Sequence, residues 1–247
     1  MSNNALYTDL SGYYDLMCAD INYQAQSNST HRLQQIFGNS GQRHLDLACG
    51  TGPHIYYLIK DGYQCSGLDI NQPMLDLAKQ RCPDAQFELG NMCDFEVTKP
   101  YDLITCFLYS IHYSGDIQNL KNCIQSVHKA LNNGGVFCFN SVDKNYIDNS
   151  LFAKHSVIHE NSKLSFGSSW YYRGEGEKQT LKLSIEKKTT EETQRWTDEH
   201  SMVALSFDEL KTLLIPYFDV HIFEHEHDKI TAWDKASGNA IFLCVKR

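Results

Sequence analysis

The 247-residue sequence has no basic run and no excess of positive charge. Lysine and arginine number 22 against 30 aspartates and glutamates, which gives a formal net charge of −8. Proteins that bind nucleic acid place basic surfaces against its phosphates. Nucleic acid is therefore an unexpected partner, although a locally basic groove is compatible with this composition.

Long apolar runs and targeting signals are also missing. No apolar run approaches the roughly 20 residues of a membrane-spanning helix, and the first residues lack the basic region and apolar core of a signal peptide. The nine cysteines include no C-x-x-C pair. Cys65, Cys106, Cys138 and Cys244 lie in apolar runs, which is typical of buried reduced thiols. We therefore expect a cytoplasmic protein that does not associate with a membrane.

The segment from Arg43 to Asn71 predicts a βαβ unit that binds a nucleoside. An apolar strand at His44–Ala48 is followed by the glycine turn C-G-T-G and by a proline that suits the first turn of a helix. A second apolar strand ends at Asp69. A carboxylate about 20 residues beyond such a turn suits the two hydroxyls of a ribose.

Two cofactor classes fit a βαβ unit of this kind. The dinucleotide fingerprint G-x-G-x-x-G needs a third glycine, and Ile55 stands in its place. This difference disfavours an NAD-dependent oxidoreductase, which we keep as an alternative.

Several short strings then occur in the order of a known set of motifs. They are D-L-A-C-G-T-G (46–52), G-L-D-I (67–70), G-N-M-C-D-F (90–95), Y-D-L-I-T-C-F (101–107) and L-N-N-G-G-V-F (131–137). Together they resemble the motifs of class I S-adenosylmethionine (SAM)-dependent methyltransferases over about residues 40 to 141. Tyr13-Tyr14-Asp15 and a later inserted segment look most like small-molecule N-methyltransferases, including those acting on nucleotide-linked amino sugars.

The resemblance implies an α/β, Rossmann-like fold. Its seven-stranded sheet would be mostly parallel with an antiparallel last strand. After a turn at Asn132–Gly135 and a fifth strand at Val136–Phe139, the composition changes. Alternating runs at 163–172, 180–188 and 199–205 predict an inserted antiparallel β layer. We therefore predict a SAM-binding domain at 1–142 and 204–247, with residues 143–203 as a lid, substrate or dimerisation layer.

The resemblance also implies a set of cofactor contacts. Amides around Gly50 would bind the methionine carboxylate, Asp46 would orient the turn, and Asp69 would bind the ribose. Asn91 replaces the aspartate that commonly reads the adenine edge. The full set is Tyr14, Asp46, Ala48, Gly50, Gly52, Asp69, Ile70, Asn91, Met92 and Phe107.

Two residues are candidates for catalysis. His112 follows the fourth strand, at the sheet edge where ligands of open α/β sheets bind, and a histidine can accept a proton from a nucleophile. The resemblance suggests that Tyr14 places its hydroxyl near the sulfonium. The alternatives are a surface histidine without a role and a tyrosine that only packs.

The substrate contacts are expected from aromatic and basic residues near the same edge. They are Tyr113, Trp170, Tyr172, Arg173, Trp196 and Trp233. Exposed aromatic and arginine side chains are also enriched at dimer surfaces, so a homodimer through the β layer stays open. The string H-I-F-E-H-E-H-D (221–228) offers no evident tetrahedral or octahedral ligand set on a strand, and we expect no metal.

The sequence thus favours a SAM-dependent methyltransferase that acts on a small molecule, with an amine nitrogen as acceptor. An O-methyltransferase, an NAD-dependent oxidoreductase and a non-catalytic cofactor-binding subunit are the alternatives.

Overall fold

The computed structural model describes residues 5–8 and 10–247. Residues 1–4, part of the stretch considered above for a signal peptide, lie outside that range. The strands are β1 (Arg43–Leu47), β2 (Gln64–Asp69), β3 (Gln86–Leu89), β4 (Tyr101–Cys106), β5 (Leu131–Val142), β6 (Ala153–His159), β7 (Ser162–Tyr172), β8 (Lys178–Lys188), β9 (Thr193–Val203), β10 (Phe218–Glu224) and β11 (Asn239–Lys246). The helices are α1 (Tyr14–Met17), α2 (Tyr23–Phe37), α3 (Pro53–Lys60), α4 (Gln72–Arg81), α5 (Ile117–Ala130) and α6 (Phe207–Leu214).

Seven strands form the large sheet in the order β10-β11-β5-β4-β1-β2-β3. β11 runs antiparallel to both neighbours, and the pairs from β5 to β3 are parallel. The predicted Rossmann-like sheet with an antiparallel last strand is therefore confirmed. Its central strands are apolar because helices cover both faces, and Leu47, Leu103 and Phe139 are fully buried.

Local signals account for most element boundaries. The predicted helix at Tyr23–Phe37 and the last strand at Asn239–Lys246 match the structure. Ser206 and Glu209 form the capping box predicted for α6, with each side chain bonded to the backbone of the other residue.

The fifth strand differs from its prediction. The Asn132–Gly135 stretch, expected as a turn, lies inside β5, which begins directly after α5 at Leu131. The β4–β5 register shifts between Tyr101 and Leu103, and Gly134 has φ of +70°. The two glycines therefore form an irregularity within a strand and not a separate loop.

The second sheet is an antiparallel meander of four strands, in the order β6-β7-β8-β9. The sequence prediction missed β6 and placed the start of β9 at Glu199 instead of Thr193. Both errors fall on polar edge strands, where apolar alternation is weak. One face of this sheet packs through Leu164, Phe166 and Ile185 on the N-terminal segment around Leu6.

All nine cysteines are buried free thiols, which confirms the prediction of buried reduced cysteines. Over residues 5–8 and 10–247, the structure contains no helix long and apolar enough to cross a membrane. In the same part of the chain, no group of three or more histidine, cysteine, aspartate or glutamate side chains is arranged to hold a metal ion.

Candidate active site

The glycine turn between β1 and α3 takes a backbone path that favours glycine. Gly50 and Gly52 have φ of +55° and +76°, in the left-handed region. A Cβ on Gly52 would lie 3.3 Å from the Cβ of Ala78 on α4, so this glycine also lets the two helices approach. A Cβ on Gly50 would instead point towards Met74 and Tyr14 at 3.6 and 3.8 Å. Gly50 thereby keeps space open in front of the turn.

Asp69, the last residue of β2, fixes that turn. Its Oδ2 accepts the Gly50 N–H at 2.8 Å, and its Oδ1 accepts the Asn71 N–H at 2.9 Å. Burial raises the pKa of Asp69, and the hydrogen bonds from Asn71 and Gly50 counteract that rise. A carboxylate oxygen can accept more than one hydrogen bond, so both oxygens keep the capacity to bind a ligand.

Asp46 stands at the end of a buried hydrogen-bond chain. The Thr105 hydroxyl donates to Asp46 Oδ1 at 2.6 Å, so the contact of 2.8 Å between Thr105 Oγ1 and His44 Nε2 needs the ring nitrogen as donor. His44 Nδ1 is then an acceptor, 3.3 Å from the sulfur of Cys65. Burial raises the pKa of Asp46 to about 7. A cationic ligand beside it would lower that pKa and stabilise the carboxylate.

A cavity of about 220 Å³ lies over these residues, at the carboxyl edge of the large sheet. Its lining consists of Tyr7, Tyr14, Ala48, Gly50, Asp69, Ile70, Asn71, Met74, Gly90, Asn91, Met92, Leu108, Ser110 and Tyr113. A smaller cavity of about 20 Å³ shares Tyr14 and Ala48 with it and adds Asp46 and Phe107. Nine of the ten predicted cofactor residues therefore line one cavity or the other. Gly52, the tenth, caps α3 behind them.

One end of the larger cavity offers an apolar surface beside an amide. Ile70 lines the cavity and keeps 66 % of its surface exposed. Asn91 Oδ1 accepts the Cys93 N–H at 2.9 Å, which leaves the amide NH₂ as the donor. This pairing suits a flat heteroaromatic ring that stacks on an aliphatic side chain and accepts a hydrogen bond at its edge.

Tyrosines close the opposite side. The rings of Tyr7 and Tyr14 are 5.7 Å apart, and those of Tyr7 and Tyr113 are 6.0 Å apart. The hydroxyls of Tyr7 and Tyr113 are in hydrogen-bond contact at 2.7 Å. Tyr7 and Tyr14 come from the N-terminal segment and Tyr113 from the short helix Ser110–Ser114, so separate parts of the chain enclose the cavity.

His112 does not take the position that the sequence suggested. It is completely buried and lines neither cavity. Its Nδ1–H donates to the Val203 carbonyl at 2.8 Å, while Nε2 accepts from the Val142 N–H at 3.2 Å and lies 3.0 Å from Ser141 Oγ. Burial lowers its pKa to about 4. The ring thus joins β5 to β9, and the lone pair that a general base needs is already used.

The predicted substrate residues separate in the structure. Tyr113 alone among the six lines the larger cavity. Trp170 packs edge-on against Tyr109, and Trp196 packs on Tyr13.

The remaining three substrate candidates have contacts elsewhere. The Tyr172 hydroxyl donates to the Gly176 carbonyl, Arg173 pairs with Glu175 in the exposed turn after β7, and the Trp233 indole donates to the Ser237 carbonyl.

Several lining residues were missed. Asn71 and Met74 lie shortly after the predicted acidic strand end, and Leu108 and Ser110 lie shortly after the string Y-D-L-I-T-C-F, which ends at Phe107, so proximity to a motif was the available signal. Leu108 has φ of +54°, an uncommon conformation that often marks a functional turn. Tyr7 had no such signal, because it reaches the cavity from far away in the sequence.

Comparisons with known proteins agree with this geometry. A family described as a methyltransferase domain matches residues 45–135. A dTDP-4-amino-2,3,4,6-tetradeoxy-D-glucose N,N-dimethyltransferase of Saccharopolyspora spinosa is 30 % identical over 92 residues, which span 37 % of this chain and 37 % of that relative. The resemblance predicted from the motifs is thus confirmed for that part of the chain.

Solved structures resemble the whole chain at low identity. DesVI of Streptomyces venezuelae superposes with a TM-score of 0.83 at 20 % identity, over 97 % of this chain and 99 % of DesVI. A SAM-bound amino pentose methyltransferase from Micromonospora echinaspora gives a TM-score of 0.79 at 15 % identity, over 93 % of both chains. Residues 45–135 therefore match a methyltransferase-domain family, and the chain has the fold of the class I SAM-dependent methyltransferases.

Proposed function

We propose that this protein is a SAM-dependent methyltransferase that transfers a methyl group to an amine nitrogen of a small molecule. The observation that carries the proposal is the position of three features at two adjoining cavities: Gly50 of the glycine turn and Asp69 line the larger one, and Asp46 lines the smaller one. The match to the relative from S. spinosa covers little more than a third of each chain, so it supports the proposal without extending that relative's substrate to this protein.

The residues present fit SAM at each end of the cavity. The α3 N-terminus and the amides near Gly50 offer donors to the methionine carboxylate. Asp69 would accept the ribose hydroxyls, and Ile70, Asn91 and Met92 would surround the adenine. Asp46, whose charge burial disfavours, would gain stabilisation from the positive charge of SAM.

When bound, SAM supplies a methyl group that is already electrophilic because it is attached to a sulfonium. The chain then has to hold a nucleophile in line with the sulfur–carbon bond and exclude water. Positioning alone can lower such a barrier by about 7–11 kcal/mol at best. Tyr14, which lines both cavities, would define the side from which the acceptor approaches.

The lining favours an amine over an acidic acceptor. Besides the residues assigned to SAM, the lining of the larger cavity offers the hydroxyls of Tyr7, Ser110 and Tyr113, and no lysine or arginine is among the described residues that line it. Hydroxyl oxygens accept hydrogen bonds from an ammonium group. Nucleotide-linked amino sugars are the acceptor class that we propose first, since the relative from S. spinosa is named for such a substrate.

Two further properties belong to this proposal. Nine buried free thiols fit a reducing compartment, so we propose a cytoplasmic enzyme. The layer at 143–203 would act as a cover of the cavity or as a homodimer surface, and the 77 % exposure of Ile158 supports the second role. Light scattering during gel filtration, comparing the protein with Ile158→Lys, would distinguish a dimer from a monomer.

Calorimetry followed by a transfer assay tests the function. S-adenosylhomocysteine should bind and NAD should not; binding of NAD alone would identify the oxidoreductase alternative. The protein is then incubated with methyl-labelled SAM and a panel of dTDP-amino sugars, each paired with its hydroxyl congener. Label in the amino sugars supports the proposal, and label in the hydroxyl congeners alone would indicate an O-methyltransferase. Cofactor binding without transfer to either set would contradict amino-sugar methylation.

A further inference from the structure

A line of ionisable side chains runs from the larger cavity into the second sheet. Tyr7 and Tyr113, whose hydroxyls are 2.7 Å apart, both line the cavity. The Tyr113 hydroxyl is 2.5 Å from Nδ1 of His200 on β9. His200 Nε2 lies 3.3 Å from Oδ2 of Asp198, two residues earlier on the same strand.

Strand geometry explains why β9 can hold such a line. Alternate residues of a strand face the same side, so Trp196, Asp198 and His200 point inward while Glu199 points to solvent. The His200 side chain is 1 % exposed and that of Asp198 is 12 % exposed. His200 Nε2 and Asp198 Oδ2 are both buried and have no hydrogen-bond partner among the described residues, so their separation of 3.3 Å is an ion-pair distance and not a formed hydrogen bond.

The carboxylate of Asp198 favours the His200 tautomer that carries its proton on Nε2, and the direction of each hydrogen bond follows from that tautomer. An imidazole Nε2–H that faces the Asp198 carboxylate leaves Nδ1 as the acceptor. The Tyr113 hydroxyl must then donate to Nδ1, and the Tyr7 hydroxyl must donate to Tyr113. Burial raises the pKa of Tyr113 well above its usual value, so its phenol can pass a proton on but does not stay ionised.

The surroundings leave His200 as the basic group of this line. Tyr7 and Tyr113 contact its ring from the N-terminal segment and from the Ser110–Ser114 helix. On β8, Leu181 stands opposite His200. The nearby Lys182 and Glu199 pair with each other at 3.4 Å on the exposed face and do not lie in the line.

We propose that Tyr113, His200 and Asp198 carry a proton from the methyl acceptor out of the cavity; the proposal rests on the function given above. An acceptor ammonium group gives a proton to the Tyr113 oxygen while Tyr113 gives its own to His200 Nδ1. The neutral amine then attacks the methyl carbon, the carbon–sulfur bond breaks, and S-adenosylhomocysteine leaves. The imidazolium, held by Asp198, returns its proton to solvent. His200 and Asp198 act through Tyr113 and are positioning residues.

The pH dependence of turnover tests this path. With a dTDP-amino sugar that the wild type methylates, His200→Gln should lower kcat at pH 7 roughly 100-fold, within the range for general base catalysis. The rate of this variant should rise with pH, and the midpoint of that rise should lie at a higher pH than in the wild type. The reason is that hydroxide and solvent replace the imidazole as the proton acceptor. Asp198→Asn should show a smaller loss, of roughly 10-fold. His159→Gln, on the exposed part of the same sheet, is the matched control and should keep the wild-type profile.

Two results would overturn the proton path. One is a His200→Gln variant with a wild-type pH profile and wild-type kcat. The other comes from ¹⁵N-histidine NMR, which needs no methyl acceptor. The His200 signal is identified because it is missing in His200→Gln, and neutral His200 should carry its proton on Nε2. A proton on Nδ1 would exclude the proton transfer from Tyr113 to His200 that the path requires. Calorimetry with S-adenosylhomocysteine separates this failure from failure of the proposed function, because the variants should bind it like the wild type.

Discussion

Replacement of Asp69 by alanine should weaken SAM binding far more than it changes the fold. In the proposed complex, the Asp69 carboxylate accepts the two ribose hydroxyls in addition to the Gly50 and Asn71 N–H groups, which lie at 2.8 and 2.9 Å. Hydrogen bonds to a charged group contribute about 1.5–3 kcal/mol each. Loss of two such bonds therefore corresponds to about 3–6 kcal/mol, or a Kd about 10²- to 10⁴-fold higher.

The Asp69→Ala substitution also changes the stability of the unliganded protein, and this effect has to be separated from the loss of the ribose contacts. Removing the carboxylate leaves the Gly50 N–H without its acceptor, at a cost of about 1–3 kcal/mol. A double-mutant cycle cancels this term. The wild type and Asp69→Ala are each titrated with S-adenosylhomocysteine and with its 2′,3′-dideoxy analogue, and the ratio of the two Kd values is compared between the proteins.

The wild type should discriminate strongly against the dideoxy analogue, and Asp69→Ala should bind both ligands with similar affinity. Asp76→Ala, at an exposed aspartate on α4, is the control and should discriminate like the wild type. Equal discrimination in Asp69→Ala and in the wild type would refute the assignment of the ribose to Asp69, whatever the absolute affinities are.

Three further predictions use the same structure. Asn91→Asp should bind S-adenosylhomocysteine a few-fold more weakly in calorimetry, because a carboxylate can still accept the Cys93 N–H but has no N–H to donate to the adenine edge; unchanged or tighter binding would contradict that contact. Arg81→Met should speed hydrogen exchange of α1, since Arg81 pairs with the partly exposed Asp15, and unchanged exchange would show that the pair does not hold the helix. His112 has a folded pKa of about 4, below its unfolded value, so the unfolded state alone gains a proton as pH falls from 6.5 to 4 and about 3 kcal/mol of stability is lost. His112→Gln should remove that part of the acid dependence in urea unfolding, and an unchanged slope would contradict it.

The cofactor side was predictable because its residues are close in the sequence. Strand, turn, helix and second strand occupy fewer than thirty consecutive positions, and hydrogen-bonded strand pairing brings Gly50 to Asp69 with little freedom. Each local signal in this segment, from the glycines to Pro53 at the start of α3, agrees with the others. Agreement between local preferences and the global fold is the condition under which sequence patterns are most informative.

The acceptor side could not be predicted in the same way. His112 stands next to a predicted strand end. The His112 ring nevertheless lies between the two sheets, where it hydrogen-bonds to the carbonyl of Val203, 91 positions later. His200 lies in a polar strand whose start the pattern misplaced, and its contact with Tyr113 spans 87 positions. Which histidine contacts a residue of the cavity lining is therefore decided by tertiary packing, which neither residue's local sequence contains.

The same packing indicates how the second sheet affects the cavity. Leu164, Phe166 and Ile185 bury one face of that sheet against the N-terminal segment, and Lys187 Nζ donates to the Tyr13 hydroxyl at 3.2 Å. Tyr14, the next residue, lines the cavity. A displacement of the sheet would therefore move Tyr14, because close-packed interfaces transmit displacement and do not absorb it. Substitutions on the inner face of the sheet should consequently alter acceptor binding, even where the side chains do not reach the acceptor.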